Sequence, residues 1–295
     1  MTRSALLVTH TGRRQNTEHA RAVAADLVAA GFEVRVMADE VADLDLGPGV
    51  VPVSGPHAAD GAEIVFALGG DGTFLRAAGL ARPCKAPLLG INLGKVGFLA
   101  EAEVGDIDTA VRKVVAGSYS VDERLTIDVR AEFDGRLIAE SWALNEISVE
   151  KGRRAQMLEL RVDVDGRPLA RYGCDGVVCA TPTGSTAYAF SAGGPVVWPE
   201  VEALLLVPIS AHALFSKPLV TAPTSTFEIT VDPYTSFAVL TSDGQRSWDL
   251  PPGARVTVQR GALPVRVVRL EPRPFTDRLV AKFELPVEGW RGSRR

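Results

Sequence analysis

"LGGDGTFLRAAG", residues 68–79, sets three glycines, Gly69, Gly70 and Gly72, around one carboxylate, Asp71, and one hydroxyl, Thr73. The apolar run "EIVFAL" precedes it and a helix-like run from about Thr73 to Leu80 follows. The glycines allow backbone angles closed to other residues and let a ligand approach the main chain. A strand turning into a helix exposes N–H groups where the helix dipole favours phosphate. A carboxylate repels phosphate, so Asp71 makes sense there as a general base for a hydroxyl attacking phosphorus. A shared Mg2+ ion would offset the repulsion. The turn alone also suits a plain strand-to-helix junction with Asp71 as the cap. Thr73 either donates to a phosphate oxygen or caps the helix. Arg76 either reaches a phosphate or is solvated. The spacing is neither that of the P-loop nor that of the dinucleotide fingerprint.

Outward from this turn, strand and helix signals alternate. "SALLVTH", "FEVRVM", "EIVFAL" and "APLLGIN" are short apolar runs suited to buried parallel strands. "NTEHARAVAADLVAAG" carries Ala20, Val23, Ala24, Leu27 and Val28 at helical spacing, with Gly31 as a stop, and "DIDTAVRKVVAG" repeats the pattern with Ile107, Ala110, Val111 and Val114. These βαβ units predict an α/β domain with a mostly parallel sheet over residues 1–120.

Past residue 120 the period drops to two. "ERLTIDVRAEFDGRLIAESWALNEISV" alternates at Leu125, Ile127 and Val129, with a hairpin signal at Asp134-Gly135. "MLELRVDVDGRPLARYG" does the same with Asp165-Gly166. "TFEITVD", "FAVLTSDGQ", "ARVTVQR" and "VRVVRL" extend the scheme, and little reads as helix. Residues 121–270 are therefore expected to form a mainly antiparallel, sandwich-like β domain. The tail, 271–295, contains the helix-like "TDRLVAKFEL" and is assigned back to the first domain.

Composition narrows the classes. The 295 residues carry 46% hydrophobic and 23% charged side chains and a net charge of −4, the balance of a globular protein of about two domains. With a pI near 5.7 there is no electrostatic drive toward nucleic acid or an anionic membrane face, so an anionic ligand needs local devices. Three cysteines, Cys84, Cys174 and Cys179, without CxxC spacing argue against a disulfide framework or structural zinc and for a reducing cytoplasm. Four scattered histidines form no metal cluster. The N-terminus does not read as a secretory signal, and no apolar run approaches the ~18 residues of a membrane span.

Three further stretches carry chemistry. In "LNEISVEKG", residues 144–152, Asn145 and Glu146 can serve vicinal hydroxyls of a ribose, or form a strand-end pair exposed to water. "YGCDGVVCATPTGSTAYAFSAGGPVVWPE", residues 172–200, gathers Thr181, Thr183, Ser185 and Thr186 around Gly184, with Asp175 and Tyr188 nearby, a density suited to close approach of a sugar or phosphate. "VPISAHALFSKPLV" with His212, and "SDGQ" at 242–245, are weaker signals that an ordinary loop and hairpin turn would also satisfy.

"GGDGT" resembles the signature of a superfamily of NAD kinases, diacylglycerol and sphingoid lipid kinases, and more distantly phosphofructokinases. With the later stretches, residues 63–245 resemble the NAD kinase family. That resemblance implies NAD held between an N-terminal α/β domain and a C-terminal β domain, and ATP- or polyphosphate-dependent phosphorylation of the 2′-hydroxyl of its adenosine ribose. It implies a divalent metal, with Mg2+ expected, metal ligands unassigned, and a homodimer or homotetramer. Asp71 matches the proton acceptor, beside Gly72; Asn145 and Glu146 match the ribose pair. Asp175 and the run Thr186, Ala187, Tyr188, Ala189, Phe190 and Ser191 match dinucleotide-holding positions, and Ser210 and Gln245 less constant contacts. Gly69, Gly70, Gly72, Thr73 and Arg76 are assigned to the phosphate donor. Many members carry a basic residue where this chain has Gly173, leaving Arg171 as the candidate substitute. A lipid kinase and a non-catalytic NAD sensor are the competing readings.

Overall fold

The computed structural model describes residues 3–10, 14–44, 47–94, 97–152, 157–271 and 274–287. They group into two compact units, Met1–Glu123 with Val265–Arg295, and Arg124–Pro264.

The first unit opens with β1 (Ser4–Thr9), α1 (Arg14–Ala29), β2 (Glu33–Met37), α2 (Ala38–Leu44), β3 (Val50–Val53), β4 (Ile64–Gly69) and α3 (Asp71–Cys84). It continues through β5 (Leu88–Asn92), β6 (Ala102–Glu103), a 3₁₀ turn, α4 (Ile107–Val115) and β7 (Ser120–Arg124). β1, β4 and β5 are buried along their whole length, which is why their sequences run apolar without alternation. On α1, Ala20, Val23, Ala24 and Leu27 are buried. Full burial of a side chain such as Leu27 contributes about 1.5–3 kcal/mol. Gly31, at φ 85°, turns the chain into β2. The helix after the glycine turn starts two residues earlier and ends four later than its sequence predicts. Its N-cap is Gly70, so neither Asp71 nor Thr73 is the cap.

The second unit contains β8 (Ile127–Phe133), β9 (Arg136–Ala143), β10 (Glu146–Lys151), β11 (Leu158–Val164), β12 (Arg167–Cys174) and β13 (Gly176–Ala180). A 3₁₀ turn (Thr183–Thr186) and α5 (Tyr188–Ser191) lead to β14 (Leu204–Ile209), β15 (Leu219–Thr221), β16 (Phe227–Val231), β17 (Ala238–Ser242), β18 (Arg246–Leu250) and β19 (Arg255–Arg260). They form two antiparallel sheets, β15-β14-β13-β10-β17-β18 and β12-β11-β16-β19-β8-β9. Ile127, Val129, Leu158, Leu160 and Phe227 of one sheet share a core with Ile147, Val149, Val177, Leu206 and Leu240 of the other. This is the expected sandwich. At the hairpins, Asp134-Gly135, Asp165-Gly166 and Asp243-Gly244 all take positive φ at both positions, as a type I′ turn requires.

The chain then returns to the first unit as β20 (Val265–Arg269) and α6 (Phe275–Phe283). β20 lies parallel to β5, Val267 opposite Leu88, in a sheet ordered β3-β2-β1-β4-β5-β20-β7 with β6 beside β5. Residues 265–270, expected in the β domain, thus fall in the first unit, 265–269 as a strand of this sheet. A half-buried strand reads alike in either sheet, so periodicity cannot assign it. Cys84, in the last turn of α3, is half-buried, with Sγ 3.3 Å from the Ala59 and Ala81 carbonyls. Cys174 and Cys179 are buried in the sandwich. Burial pushes both thiols up, that of Cys174 to about 12.

Candidate active site

β4 delivers Gly69 to the start of α3, where the Gly70 carbonyl accepts the Thr73 and Phe74 amides at 3.0 and 3.1 Å. Gly70 has φ −99° and ψ −169°, and none of Gly69, Gly70 and Gly72 has positive φ. The special angles expected of this turn are absent. Gly69 serves packing, because a Cβ there would lie 2.4 Å from Thr73 Oγ1. Around a Cβ on Gly70 or Gly72 there is nothing within 4 Å among the described residues. No described side chain demands glycine at these two positions, and their bareness lets a ligand approach the main chain at the head of α3.

Asp71, the first residue of α3, has its carboxylate fixed by main chain. Phe98 N donates to Oδ2 and Leu99 N to Oδ1, both at 3.3 Å. Gly97 makes room, since a Cβ there would fall 2.3 Å from Asp71 Oδ1. Buried Asn92 braces the same loop, with Nδ2 donating to Glu103 Oε2 at 2.7 Å and Oδ1 accepting Gly94 N at 3.1 Å. The sequence reading did not single out Asn92, Gly97, Phe98 or Leu99. The signal was the glycine pair in "NLGKVGFL" after β5, but amide donors leave no side-chain signature.

Beside the turn lies a cavity of about 530 Å3, lined by Thr9, His10, Asp39, Glu40, Gly70, Gly72, Thr73 and Arg76. Arg76 is on this wall, exposed to solvent yet anchored: Nη2 donates to the Thr9 carbonyl at 2.7 Å and pairs with Glu40. Glu40 also accepts Thr9 N at 3.0 Å, and burial raises its pKa.

In the second unit, Asn145 and Glu146 stand where β10 begins, both buried. The alternative of a water-exposed strand-end pair does not hold. Asp243, in its left-handed turn position, accepts the amides of Leu144, Asn145 and Glu146 at 2.9, 2.7 and 3.3 Å, which fixes their backbone. Asn145 Oδ1 is buried and accepts no hydrogen bond among the described residues. Glu146 Oε2 accepts Tyr188 N at 3.4 Å. Burial, then the Asp243 and Glu150 carboxylates, push the Glu146 pKa up to about 8, which near neutral pH favours the protonated form, able to donate as well as accept. It adds little charge against an anionic ligand.

The hydroxyl-rich loop divides its labour. Thr181 Oγ1 donates to the Leu144 carbonyl at 2.5 Å and accepts Gly184 N at 3.1 Å. Ser185 Oγ donates to the Val197 carbonyl at 3.1 Å and accepts its amide at 2.9 Å. Both side chains are consumed in folding the loop rather than open to a sugar. Ala189 is fully buried against Val178, Leu205 and Val207, so its side chain is packing, while Phe190 and Ser191 are exposed. Thr186, Ala187 and Tyr188 are half-buried, and Tyr188 Oη donates to Glu150 at 2.9 Å. Asp175 pairs with Lys151. Ser210 is exposed at φ 48° after β14, and Gln245 closes the turn after β17 through its amide. Arg171 is taken up by Asp232 at 3.1 Å, and Gly173 is packed by Met157.

The ATP-NAD kinase N-terminal domain profile matches residues 5–119, and the ATP-NAD kinase C-terminal domain profile matches residues 144–270. The chain belongs to the NAD kinase family. It is 55% identical over 293 residues to NAD kinase 2 of Streptomyces avermitilis, covering 99% of this chain and 97% of that one. To the NAD kinase of Thermobifida fusca it is 56% identical over 299 residues, covering 98% and 92%. Among solved structures, an NAD kinase from Archaeoglobus fulgidus in complex with ATP superposes with a TM-score of 0.71 at 29% identity, covering 95% of this chain and 98% of that one. Yeast NADH kinase complexed with NADH superposes at 0.85 with 24% identity, covering 100% and 89%, and shows the shared fold. The chain is an enzyme of this kinase family. Among the described residues no helix is long and apolar enough to cross a membrane.

Proposed function

We propose that this NAD kinase transfers the terminal phosphoryl group of ATP or polyphosphate to the 2′-hydroxyl of the adenosine ribose of NAD, with Asp71 as proton acceptor. Asn145 and Glu146 hold the ribose hydroxyls; Asp175, the Thr186–Ser191 run, Ser210 and Gln245 contact the dinucleotide. The 2′-oxygen attacks phosphorus, its proton passes to Asp71, and the bond to the leaving phosphate breaks. Gly69, Gly70, Gly72 and Thr73 supply the donor cradle, with Arg76 on its wall. Positioning and charge neutralisation carry most of the rate, as is usual for phosphoryl transfer.

The observation that carries this reading is the fixed Asp71 carboxylate at the head of α3 beside two glycines whose Cβ positions no described residue crowds. The unpartnered, buried Asn145 Oδ1 supports the ribose assignment, and ATP in the Archaeoglobus structure supports that donor. Among the described residues no group of three or more His, Cys, Asp or Glu forms a metal cage. That fits Mg2+, which characteristically binds through substrate phosphates and one or two carboxylates, Asp71 here being of that donor class. When bound, the ion neutralises phosphate charge. Family likeness supports a homodimer or homotetramer and a cytoplasmic location.

The test is the full chain with NAD, Mg2+ and each donor in turn, read by an NADP-specific dehydrogenase. Asp71→Asn should retain NAD binding by calorimetry and lose about 10²–10⁴-fold in kcat. Near-normal turnover by this variant would remove Asp71 from the role of base.

A further inference from the structure

Arg278 lies on α6, 207 positions along the chain from Asp71, and points back into the loop that holds it. Its Nη1 donates to the Phe98 carbonyl at 2.9 Å and the Ala100 carbonyl at 2.8 Å; its Nη2 pairs with Glu101 at 2.6 Å. The Phe98 carbonyl and the Leu99 amide belong to one peptide unit. That unit therefore accepts from a guanidinium at one end and donates to Asp71 Oδ1 at the other. We propose that Arg278 is a positioning residue for Asp71, acting through the Phe98–Leu99 peptide. The inference rests on Asp71 being the proton acceptor.

Three features favour a role beyond holding the tail in place. Hydrogen bonds in series polarise one another, so a cation on the carbonyl strengthens the amide's donation to the carboxylate. The guanidinium is itself clamped: Glu101 is buried and is held from β20 by Arg269 at 2.6 Å and by the Leu270 amide at 3.2 Å. α6 has no fully buried side chain, and its Phe275 and Phe283 rings meet Phe98 at 6.1 and 5.6 Å between centroids. Removing Arg278 therefore takes little from the core, and Glu101 keeps Arg269. What it removes is the support of the Phe98 and Ala100 carbonyls and one of the two guanidinium partners of Glu101. Lysine is a poor replacement, because a point charge cannot bridge two carbonyls and a carboxylate as a planar fork does.

The experiment compares wild type, Arg278→Ala, Arg278→Lys, Asp71→Asn and the Arg278→Ala/Asp71→Asn double variant, by kcat, KM for NAD and melting temperature. Arg278→Ala should lose about ten- to a hundredfold in kcat, the scale of a small misplacement of a reacting group, with KM for NAD changed less than about twofold. Arg278→Lys should fall between. In the Asp71→Asn background, Arg278→Ala should cost less than about twofold more, because the group it positions is already disabled. If the alanine variant loses its native melt, the lysine variant is read in both backgrounds instead. Unchanged kcat, or the same fold-loss in both backgrounds, overturns the proposal. Near-normal turnover by Asp71→Asn alone would instead overturn the assignment of the base.

Discussion

In "GGDGT" nothing among the described residues lies within 4 Å of a Cβ placed on Gly72, whereas in "TPTGST" a Cβ on Gly184 would lie 2.0 Å from the Asn145 carbonyl oxygen. Neither residue has positive φ. The two stretches share a vocabulary of glycine and threonine but use it differently. At Gly184 the missing side chain lets the 3₁₀ turn press against the backbone at the start of β10, and the nearby Thr181 and Ser185 hydroxyls are spent on the main chain. At Gly72 the missing side chain meets none of the described residues. A glycine that is crowded belongs to the fold; one that is uncrowded and conformationally ordinary is a candidate for ligand contact.

The contrast breaks most easily at its crowded end. Gly184→Ala forces a methyl into backbone, at a cost of about 3 kcal/mol or more, and should drop the melting temperature by several degrees. An unchanged melt would mean that the loop relaxes freely. Gly72→Ala should act oppositely. Alanine inside a helix is favoured over glycine by roughly 0.5–1 kcal/mol, so the melt should hold or rise. Activity should nonetheless fall about tenfold, through a raised KM for the phosphate donor, if the donor lies against that backbone. A Gly72→Ala enzyme with wild-type donor kinetics would return this glycine to the structural class.

The smallest effect sharpens the second region alone. Glu146 sits among Asp243, Glu150 and Tyr188, with its pKa raised from 4.5 to about 8. In that interval the folded chain holds a proton that the unfolded chain has lost, so this group's stabilisation is full below about 4.5 and declines as pH rises toward 8. Between pH 6.5 and 7.5 the slope approaches, at most, about 1.4 kcal/mol per unit. Denaturant melts of wild type and Glu146→Gln across that range should diverge accordingly, and parallel curves would count against a protonated Glu146.

Much of this molecule is legible in its sequence. The period-two runs with Asp-Gly turns became hairpins because type I′ geometry and alternation specify the same register. α2 and β3 escaped notice because seven and four residues, partly exposed, do not establish a period. β13 and β14 lack alternation since the 183–197 segment covers the outer face of their sheet, burying Val178 and Val207 as well as Val177 and Leu206. At the site, Asp71, Asn145 and Glu146 announced themselves by residue type. Their supports did not. Phe98 and Leu99 act through amides, Asp243 read as an ordinary turn residue, and Arg278 is brought to its place only by the return of the chain.

Cys84 offers a practical consequence. The two sandwich thiols resist ionisation, so alkylating reagents should select the half-buried one at the far end of α3. That sulfur rides the same rod as Asp71, about 20 Å along it at the rise of an α-helix. A maleimide-linked fluorophore placed there would watch nucleotide arrive at the opposite tip without standing in its way.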